Sequence, residues 1–435
     1  MRNTTSKVWA LAAGITGIAL LATACSSGTS SGNSSTSAAS NEKITLTVAT
    51  FNQFGYEDLV KEYTTLHPNI TVKQVVAAKS DDARANMTTK LAAGSGLSDV
   101  EAIEVDWLPE LMQYPDKFVD LKDKAVEGRW LDWKVKQATT TDGKLMAYGT
   151  DIGPEGVCYR SDLFAAAGLP TDRAAVATLL GGDSATWDKY FAVGKQFKAA
   201  GTNVPWFDSA GATYQGMVNQ LKNAYEKDDG TVIATDNADV KKLYDTVLQA
   251  STTDGLSAHL AQWSDDWTAS FQKNGFATML CPGWMLGVIE GDAKGVAGWD
   301  IADVFPGGGG NWGGSFLTVP AQGKHTAEAK ALAAWLTAPE QQVKAFVAKG
   351  TFPSQVEALT SPDLLSVVNP FFNNAKTGEL LATRANAVKV TPFKGAKYFA
   401  INKVMGDALT RVDVDKTDDA ASSWAKFVTD VKALG

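Results

Sequence analysis

The chain contains little cysteine or histidine and no surplus of positive charge. Its 435 residues include three Cys and three His, and their wide separation matches no spacing of metal ligands. Three Cys are also too few for a disulfide-rich scaffold. The 40 basic and 48 acidic side chains give a formal net charge of −8. A protein that binds nucleic acid needs an excess of Lys and Arg to neutralise phosphates, so we expect no nucleic-acid partner. From the Cys and His spacing we also expect no metal.

Motifs for a bound cofactor are missing as well. No Gly-Lys-Ser/Thr phosphate-binding loop occurs in the sequence. The glycine-rich stretch 308–313 has the spacing of a dinucleotide-binding loop, but it leads into a predicted strand over 315–319 instead of opening a helix. The sequence therefore predicts no cofactor.

Long apolar runs are confined to the N-terminus. Arg2 and Lys7 flank the start of an uncharged run over 8–21, which is shorter than the roughly 20 residues that span a bilayer. The tetrapeptide that ends at Cys25 resembles a bacterial lipoprotein signal, in which the chain is cut before a Cys that receives acyl chains. Leu is usual at the position of Ala22. An ordinary cleaved signal beside an incidental Cys is the alternative.

The segment after Cys25 favours the lipid anchor. Residues 26–41 hold eight Ser and no charged residue, a composition typical of a flexible tether. We therefore expect a lipoprotein signal peptide over 1–24, and a lipidated Cys25 with a Ser-rich tether over 25–41. We expect the remainder to be extracytoplasmic and anchored to the cell membrane.

The body of the chain alternates predicted strands with predicted helices. Apolar alternation predicts strands at 43–50, 70–76 and 100–105, and helical spacing predicts helices at 56–66 and 83–93. Strand–helix–strand units of this length imply a parallel sheet, and such sheets bind ligands beyond the carboxyl ends of their strands. This arrangement places one group of residues around a common rim: Phe51, Asn52, Asp81, Asp82, Glu104, Asp106 and Trp107.

Five segments carry a resemblance to a known family. They lie at 90–100, 142–170, 274–284, 306–320 and 333–354, in the order that the family has, and cover most of the chain after the tether. In these segments the sequence resembles the extracellular solute-binding proteins of carbohydrate-uptake ABC transporters.

The resemblance implies an α/β, two-lobed periplasmic-binding-protein fold with three inter-lobe crossings and a ligand cleft between the lobes. Mapped onto this sequence, lobe one comprises 42–152 and 301–346, and lobe two comprises 153–300 and 347–435. The resemblance also implies a monomeric, non-catalytic subunit that captures an oligosaccharide by closure of the lobes. The partners that it implies are the oligosaccharide, the permease subunits of the transporter and the membrane.

The predicted site combines aromatic rings for the faces of a sugar with polar groups for its hydroxyls. Trp284 follows Pro-Gly at a strand end and matches a position where the family has a ligand-contacting aromatic. Trp312 precedes two glycines whose backbone would allow close approach of a ligand. Further candidates lie in loop-like segments, at strand ends or, for the tyrosine, at a late aromatic position of the family: Gly313, Gly314, Trp206, Trp263, Trp267, Asn52, Asp81, Glu104, Asp106, Asp151, Asp208 and Tyr398.

Each candidate has a structural alternative. Trp284 can be a core residue, and Trp312 can pack at the hinge. Trp263 and Trp267 have helical spacing, so one of them can simply pack. A surface charge or a helix cap is an equal alternative for each acid, and Asp151 can be a structural residue at a lobe crossing.

The two remaining cysteines lie in or beside predicted strands of lobe two. In an oxidising compartment this placement predicts a disulfide between Cys158 and Cys281. Two small buried thiols are the alternative.

Two classes of function fit these features. The first is an oligosaccharide-binding subunit, and the number of Trp residues favours a di- to tetrasaccharide, with cellobiose or xylobiose as the specific hypothesis. The second is a secreted glycoside hydrolase, which needs two carboxyl groups on opposite sides of the scissile bond. Glu104 and Asp106 lie two residues apart on one strand, which favours the binding subunit. A polyamine ligand is a weaker hypothesis, since a cation site needs fewer Trp.

Overall fold

The structure, a computed structural model, describes residues 42–435. Its strands run over Ile44–Phe51 (β1), Ile70–Ala77 (β2), Val100–Glu104 (β3), Ala147–Gly149 (β4), Glu155–Arg160 (β5), Thr278–Pro282 (β6), Trp299–Ala302 (β7) and Ser315–Thr318 (β8). They form two sheets, with the strand orders β2-β1-β3-β8-β4 and β6-β5-β7.

Helices surround both sheets. In the first half of the described chain they are Leu59–Leu66 (α1), Ser80–Ala93 (α2), Leu108–Leu111 (α3), Asp132–Gln137 (α4), Ser161–Ala166 (α5), Arg173–Leu179 (α6), Trp187–Ala199 (α7), Ala210–Val218 (α8) and Ala238–Leu248 (α9). In the second half they are Asp265–Ser270 (α10), Gly283–Asp292 (α11), Thr326–Leu336 (α12), Pro339–Lys349 (α13), Val356–Leu359 (α14), Pro362–Leu365 (α15), Thr377–Ala387 (α16), Tyr398–Asp413 (α17) and Ala420–Ala433 (α18). Short 3₁₀ turns lie at Pro115–Lys117, Lys124–Val126 and Gly182–Ser184, and a π turn lies at Gln249–Thr253.

The first sheet is mixed, although the sequence predicted a parallel one. β1 pairs in parallel with β2 and β3, as strand–helix–strand units require. β8 pairs antiparallel with both β3 and β4. The prediction fails there because β8 enters this sheet from the other sheet, so no crossover helix imposes a parallel direction. The core of the first lobe packs between this sheet and α1, α2 and α12.

The second sheet is wholly antiparallel. β5 lies in the centre and pairs with β6 and β7. Cys158 on β5 and Cys281 on β6 form a disulfide with their Cα atoms 5.5 Å apart, which is the predicted pairing. Apolar clusters on either side of this sheet include residues of α7, α11 and α16.

The first two chain segments between the sheets lie side by side. Gly153 accepts a hydrogen bond from the Trp312 backbone N–H at 2.8 Å and donates its own to Asn311 Oδ1 at 2.9 Å. The predicted lobe boundary between 300 and 301 is wrong, because Ile301 pairs with Cys158 inside the second sheet. The chain leaves this sheet after Ala302 and joins the first sheet at Ser315.

The predicted signal peptide, the lipidated Cys25 and the Ser-rich tether all lie outside the described residues. Within residues 42–435, no helix is both long and apolar enough to cross a membrane.

Candidate ligand-binding site

A cavity of about 480 Å³ opens where the two lobes face one another. Its walls include the end of β1 and the residues after β3 from the first lobe. The second lobe contributes the start of α11 and one face of α17. The volume lies within the range of about 300–1,000 Å³ that is typical of small-molecule sites.

Ten of the fourteen predicted ligand-binding residues line this cavity. They are Asn52, Asp81, Glu104, Asp106, Asp151, Trp263, Trp284, Trp312, Gly313 and Gly314. The carboxyl ends of β1 and β3 therefore border the cavity, as the rule for ligand sites in parallel sheets predicts.

The other four predicted residues are buried away from the cavity, and their prediction as lining residues is wrong. Trp206 is 1% exposed and packs between Phe164 and Tyr190 in the second lobe. Trp267 is equally buried, and its indole N–H donates to Asp208 Oδ2 at 3.0 Å. Trp267 and Asp208, both predicted in exposed binding loops, are instead partners in a buried hydrogen bond.

Tyr398 shows that adjacent residues of a helix face in different directions. Its ring packs on Tyr225 at 5.2 Å, and the side chain is 1% exposed. The next residue, Phe399, lines the cavity. Trp107, which the sequence placed on the rim, is likewise buried and donates to Ser80 Oγ at 3.0 Å.

Three indoles form the aromatic wall of the cavity. Trp284 stacks on Trp263 with ring centres 6.0 Å apart and an angle of 25° between the planes. Trp312 meets Trp284 at 83°, with ring centres 5.6 Å apart. The indole N–H of Trp284 donates to the Trp312 carbonyl at 3.0 Å, so a hydrogen bond fixes the orientation of the central ring.

Two glycines allow this wall to form. Gly283 begins α11 directly after β6, and a Cβ there would lie 2.9 Å from the Cβ of Phe352. A Cβ on Gly153 would lie 1.8 Å from the Trp312 carbonyl oxygen, far inside van der Waals contact. Larger residues at these positions would displace the backbone that carries Trp284 and Trp312.

The polar side of the cavity combines carboxyl groups with lysines. Asp106 forms an ion pair with Lys394, and both side chains are largely shielded from solvent. Asp151 accepts hydrogen bonds from the Thr150 hydroxyl at 2.6 Å and the Ser315 backbone N–H at 2.8 Å. Burial raises the pKa of Asp151, while Lys134 and these two donors act in the opposite direction.

Lys134 lies behind the cavity wall. It is 1% exposed, and its Nζ is 3.6 Å from the centre of the Phe316 ring and has no hydrogen-bond partner among the described residues. Burial lowers the pKa of Lys134 to about 7, and the nearby Asp151 and Glu104 oppose this shift. The charge of Lys134, which faces the carboxyl groups, therefore changes with pH near neutrality.

Sequence reasoning pointed only to the first turn of α17, at Tyr398, and missed the rest of its contribution. Phe399, Asn402, Lys403, Gly406 and Thr410 line the cavity at spacings of three and four residues. This periodicity marks one helix face, but its mixture of Phe, Asn, Lys, Gly and Thr gives no apolar stripe to detect. Lys134 and Lys394 also carried no signal, because their partners are distant in the sequence.

The two lobes and the cavity between them define a two-lobed ligand-binding protein. The chain belongs to the bacterial extracellular solute-binding proteins, whose family model matches residues 58–367. A crystal structure of an extracellular solute-binding protein family 1 member is 49% identical, with a TM-score of 0.79 over 90% of this chain and 99% of that one.

Two more distant similarities are to proteins described with a sugar, one in its name and one in its solved complex. The arabinooligosaccharide-binding protein of Halalkalibacterium halodurans is 25% identical over 269 residues, which cover 58% of this chain and 56% of that protein. The chain thus matches only about half the length of this curated relative. An ABC-transporter-associated binding protein from B. animalis subsp. lactis was solved with β-1,6-galactobiose and is 20% identical to this chain. The match has a TM-score of 0.77 and covers 91% of this chain and 97% of that one. At this identity the similarity shows the fold alone.

Proposed function

We propose that this protein is the substrate-binding subunit of an ABC importer that captures an extracellular oligosaccharide and delivers it to the permease. The observation that carries the proposal is the cavity itself, where three indoles face a set of carboxyl and amide groups contributed by both lobes. Indole planes suit the C–H faces of sugar rings, and the polar groups suit their hydroxyls. The sugar-binding relatives support the same class of ligand.

The ligand is a short oligosaccharide. Three neighbouring indoles provide more aromatic surface than one sugar ring covers, which supports a di- to tetrasaccharide. The 83° angle between Trp284 and Trp312 favours rings that are turned relative to each other over flat cellobiose or xylobiose. Arabinooligosaccharides and β-1,6-galactobiose are therefore the first ligands to test, because one relative is named for the former and a structural neighbour was solved with the latter.

The alternative function is a glycoside hydrolase. Its two carboxyl groups would have to flank the scissile bond from opposite sides. Glu104 and Asp106 instead follow one another at the end of β3, and Asp106 is already paired with Lys394. This arrangement favours binding without catalysis.

Calorimetry tests the proposal directly. The purified protein would be titrated with arabinooligosaccharides, β-1,6-galactobiose, lacto-N-biose, cellobiose and xylobiose, and the sugars analysed by chromatography afterwards. Binding heat with intact sugar is the expected result. An absence of heat with every sugar would refute the proposal, and heat with a polyamine alone would favour the weaker hypothesis. Shortened sugars would establish the hydrolase.

The anchor and the lobe assignment belong to the same proposal. The lipoprotein-like tetrapeptide and the Ser-rich tether support acylation at Cys25 and retention at the outer face of the membrane. A Cys25→Ser variant should move from the membrane fraction to the medium, and an unchanged distribution would argue against the anchor. We further propose that the protein acts as a monomer. Lobe one would comprise 42–152 and about 303–346, and lobe two would comprise 153 to about 302 and 347–435.

A further inference from the structure

We propose that Glu104 binds the sugar as a neutral carboxylic acid, donating a hydrogen bond to one of its oxygens, and so selects for an acceptor atom at that point of the ligand. This inference rests on the proposed function and assigns a chemical role to one residue of the same site.

The position of Glu104 brings its carboxyl group next to the central indole. Its Oε2 accepts a hydrogen bond from the Asp106 backbone N–H at 2.7 Å. A Cβ added to Gly313 would lie 3.5 Å from Glu104 Oε1 and 3.4 Å from Trp284 Nε1. Oε1 and the Trp284 ring therefore border the same small space, which the absence of a side chain at Gly313 keeps open.

The charges around Glu104 do not balance if every carboxyl group is ionised. Asp106 and Asp151 lie in the same cavity, and the cations whose charges act on Glu104 are Lys394 and Lys134. The other charged residues of the lining are equal in number of each sign: Lys79 with Asp81, and Lys403 with Asp407, which form an ion pair. Lys394 pairs directly with Asp106. Asp151 has two hydrogen-bond donors, and Lys134 faces it. Three carboxyl groups thus share two lysines, and only Lys394 forms an ion pair with one of them.

Glu104 is the group that gives up its charge. Among the described residues, no Lys, Arg or His nitrogen lies within ion-pair distance of its carboxyl group, in contrast to Asp106. Burial and the Asp106 carboxylate raise the pKa of Glu104 to about 8, while Lys394 and Lys134 oppose the shift. The Tyr398 hydroxyl, whose pKa is itself raised well above its usual value by burial, adds no charge.

A neutral carboxyl group recognises atoms that a carboxylate repels. Its O–H donates to ring oxygens, to glycosidic oxygens and to hydroxyl lone pairs, whereas a carboxylate only accepts. Asp106 instead accepts from the Lys394 side chain. Glu104 is therefore suited to discriminate between ligands by whether an acceptor oxygen lies beside the Trp284 ring.

The sign of the pH dependence distinguishes the two roles. If Glu104 donates, the dissociation constant stays level up to about pH 8 and then rises toward about tenfold per pH unit, because each unit makes protonation of the carboxylate tenfold less favourable. If Glu104 accepts as a carboxylate, affinity instead improves as the pH rises through about 8, since ionisation then favours binding.

The experiment measures dissociation constants by calorimetry between pH 5.5 and 9.5, with arabinotriose and β-1,6-galactobiose as probes and circular dichroism to confirm folding. Glu104→Gln retains a donor, so we expect it to bind within about threefold of the wild type at pH 7, with the rise above pH 8 abolished. Glu104→Ala should bind at least about tenfold more weakly.

Glu101→Gln is the matched control. Glu101 lies on the same strand but outside the cavity, accepts a hydrogen bond from Ser98 N–H at 2.7 Å, and has a pKa that burial raises to about 7. Its variant should keep both the wild-type affinity and the wild-type pH profile.

Affinity that is level or improves above pH 8 in the wild type would overturn the inference while leaving sugar binding intact. A rise that persists in Glu104→Gln would assign the proton to another group, with Lys134 the first candidate, and would overturn it too. Failure of every sugar of the panel to bind at any pH would overturn the proposed function, and this inference with it.

Discussion

Single residues decide how the cavity wall is built. Trp284 stands between Trp263 and Trp312, stacking on one and meeting the other nearly at a right angle. Its indole N–H is bound to the Trp312 carbonyl, so the ring is held before any ligand arrives. A preorganised ring loses little freedom on binding, which makes Trp284 the residue expected to contribute most to affinity.

Removal of the Trp284 side chain should therefore weaken sugar binding strongly. We expect Trp284→Ala to reduce the binding free energy by about 2 kcal/mol or more, because stacking and burial are lost together. Calorimetry with the best ligand of the panel measures the change. Trp424→Ala, on α18 and away from the cavity, serves as the control and should bind normally. Equal affinities of the two variants would remove Trp284 from the site.

Trp206 should show the opposite behaviour. Its side chain is buried among aromatic rings of the second lobe, and a Cβ on Gly194 would lie 2.6 Å from its ring. We expect Trp206→Ala to lower the free energy of unfolding by about 3–5 kcal/mol, and the milder Trp206→Phe by less. Denaturant unfolding measures both. Folded Trp206→Phe should bind sugar as the wild type does, and a selective loss of affinity in this variant would contradict the structural assignment.

Local sequence revealed some of these roles and concealed others. Trp284, Trp312 and the acids after β3 stand at strand ends or beside glycines, where position alone points to a site. Trp206 and Trp267 occur in segments of the same polar appearance, yet long-range packing buries them. Their partners Phe164 and Asp208 lie more than forty residues away in the chain, and no local pattern reports such contacts.

At the scale of elements, the sequence predicts the positions of strands and helices better than their arrangement in the sheets. Predicted strands and helices agree with the structure to within a few residues: the strand predicted at 70–76 is Ile70–Ala77, and the helix predicted at 83–93 is Ser80–Ala93. Strand direction was less accessible, because β8 and β7 reach their sheets from distant parts of the chain. The error in the lobe boundary at 300 has the same origin.

A substitution at Gly153 should disturb the crossing and the site together. The added Cβ of Gly153→Ala would meet the Trp312 carbonyl, which is the acceptor for the Trp284 indole. We expect a loss of affinity of about tenfold or more, accompanied by a lower melting temperature. Gly211→Ala on α8, where the new methyl group meets no atom within 4 Å, is the control and should be neutral or slightly stabilising. Wild-type affinity in Gly153→Ala would show that the crossing tolerates movement of Trp312.

For the whole molecule, the important contacts are those that cross the cleft. Lys394 belongs to the segment before α17, whose core packs with α8 and α9 in the second lobe, and it pairs with Asp106 of the first lobe. Arg84 on α2 lies 4.2 Å from the centre of the Phe399 ring on α17 and is held by Glu110. These contacts stabilise the arrangement in which the lobes face one another, and they add to the contacts of a bound sugar.

The inter-lobe ion pair should therefore affect both conformation and affinity. Lys394→Gln removes the cation and leaves Asp106 desolvated without a partner, which costs about 2–5 kcal/mol in comparable charge pairs. That cost applies only to the closed form, in which Lys394 of one lobe lies beside Asp106 of the other. The population should therefore shift toward the open form. The apparent affinity for sugar should fall in proportion to the fraction of closed molecules that is lost.

Small-angle scattering and calorimetry measure the two effects. We expect a larger radius of gyration for ligand-free Lys394→Gln than for the wild type, and the two should converge when sugar saturates the site. Lys241→Gln, whose ion pair with Asp245 lies within α9, is the control. In the ligand-free state, the double variant Lys394→Gln/Asp106→Asn should have a radius of gyration closer to that of the wild type than Lys394→Gln alone, because the unpaired charge is gone. Wild-type scattering and affinity in Lys394→Gln would show that closure does not depend on this pair.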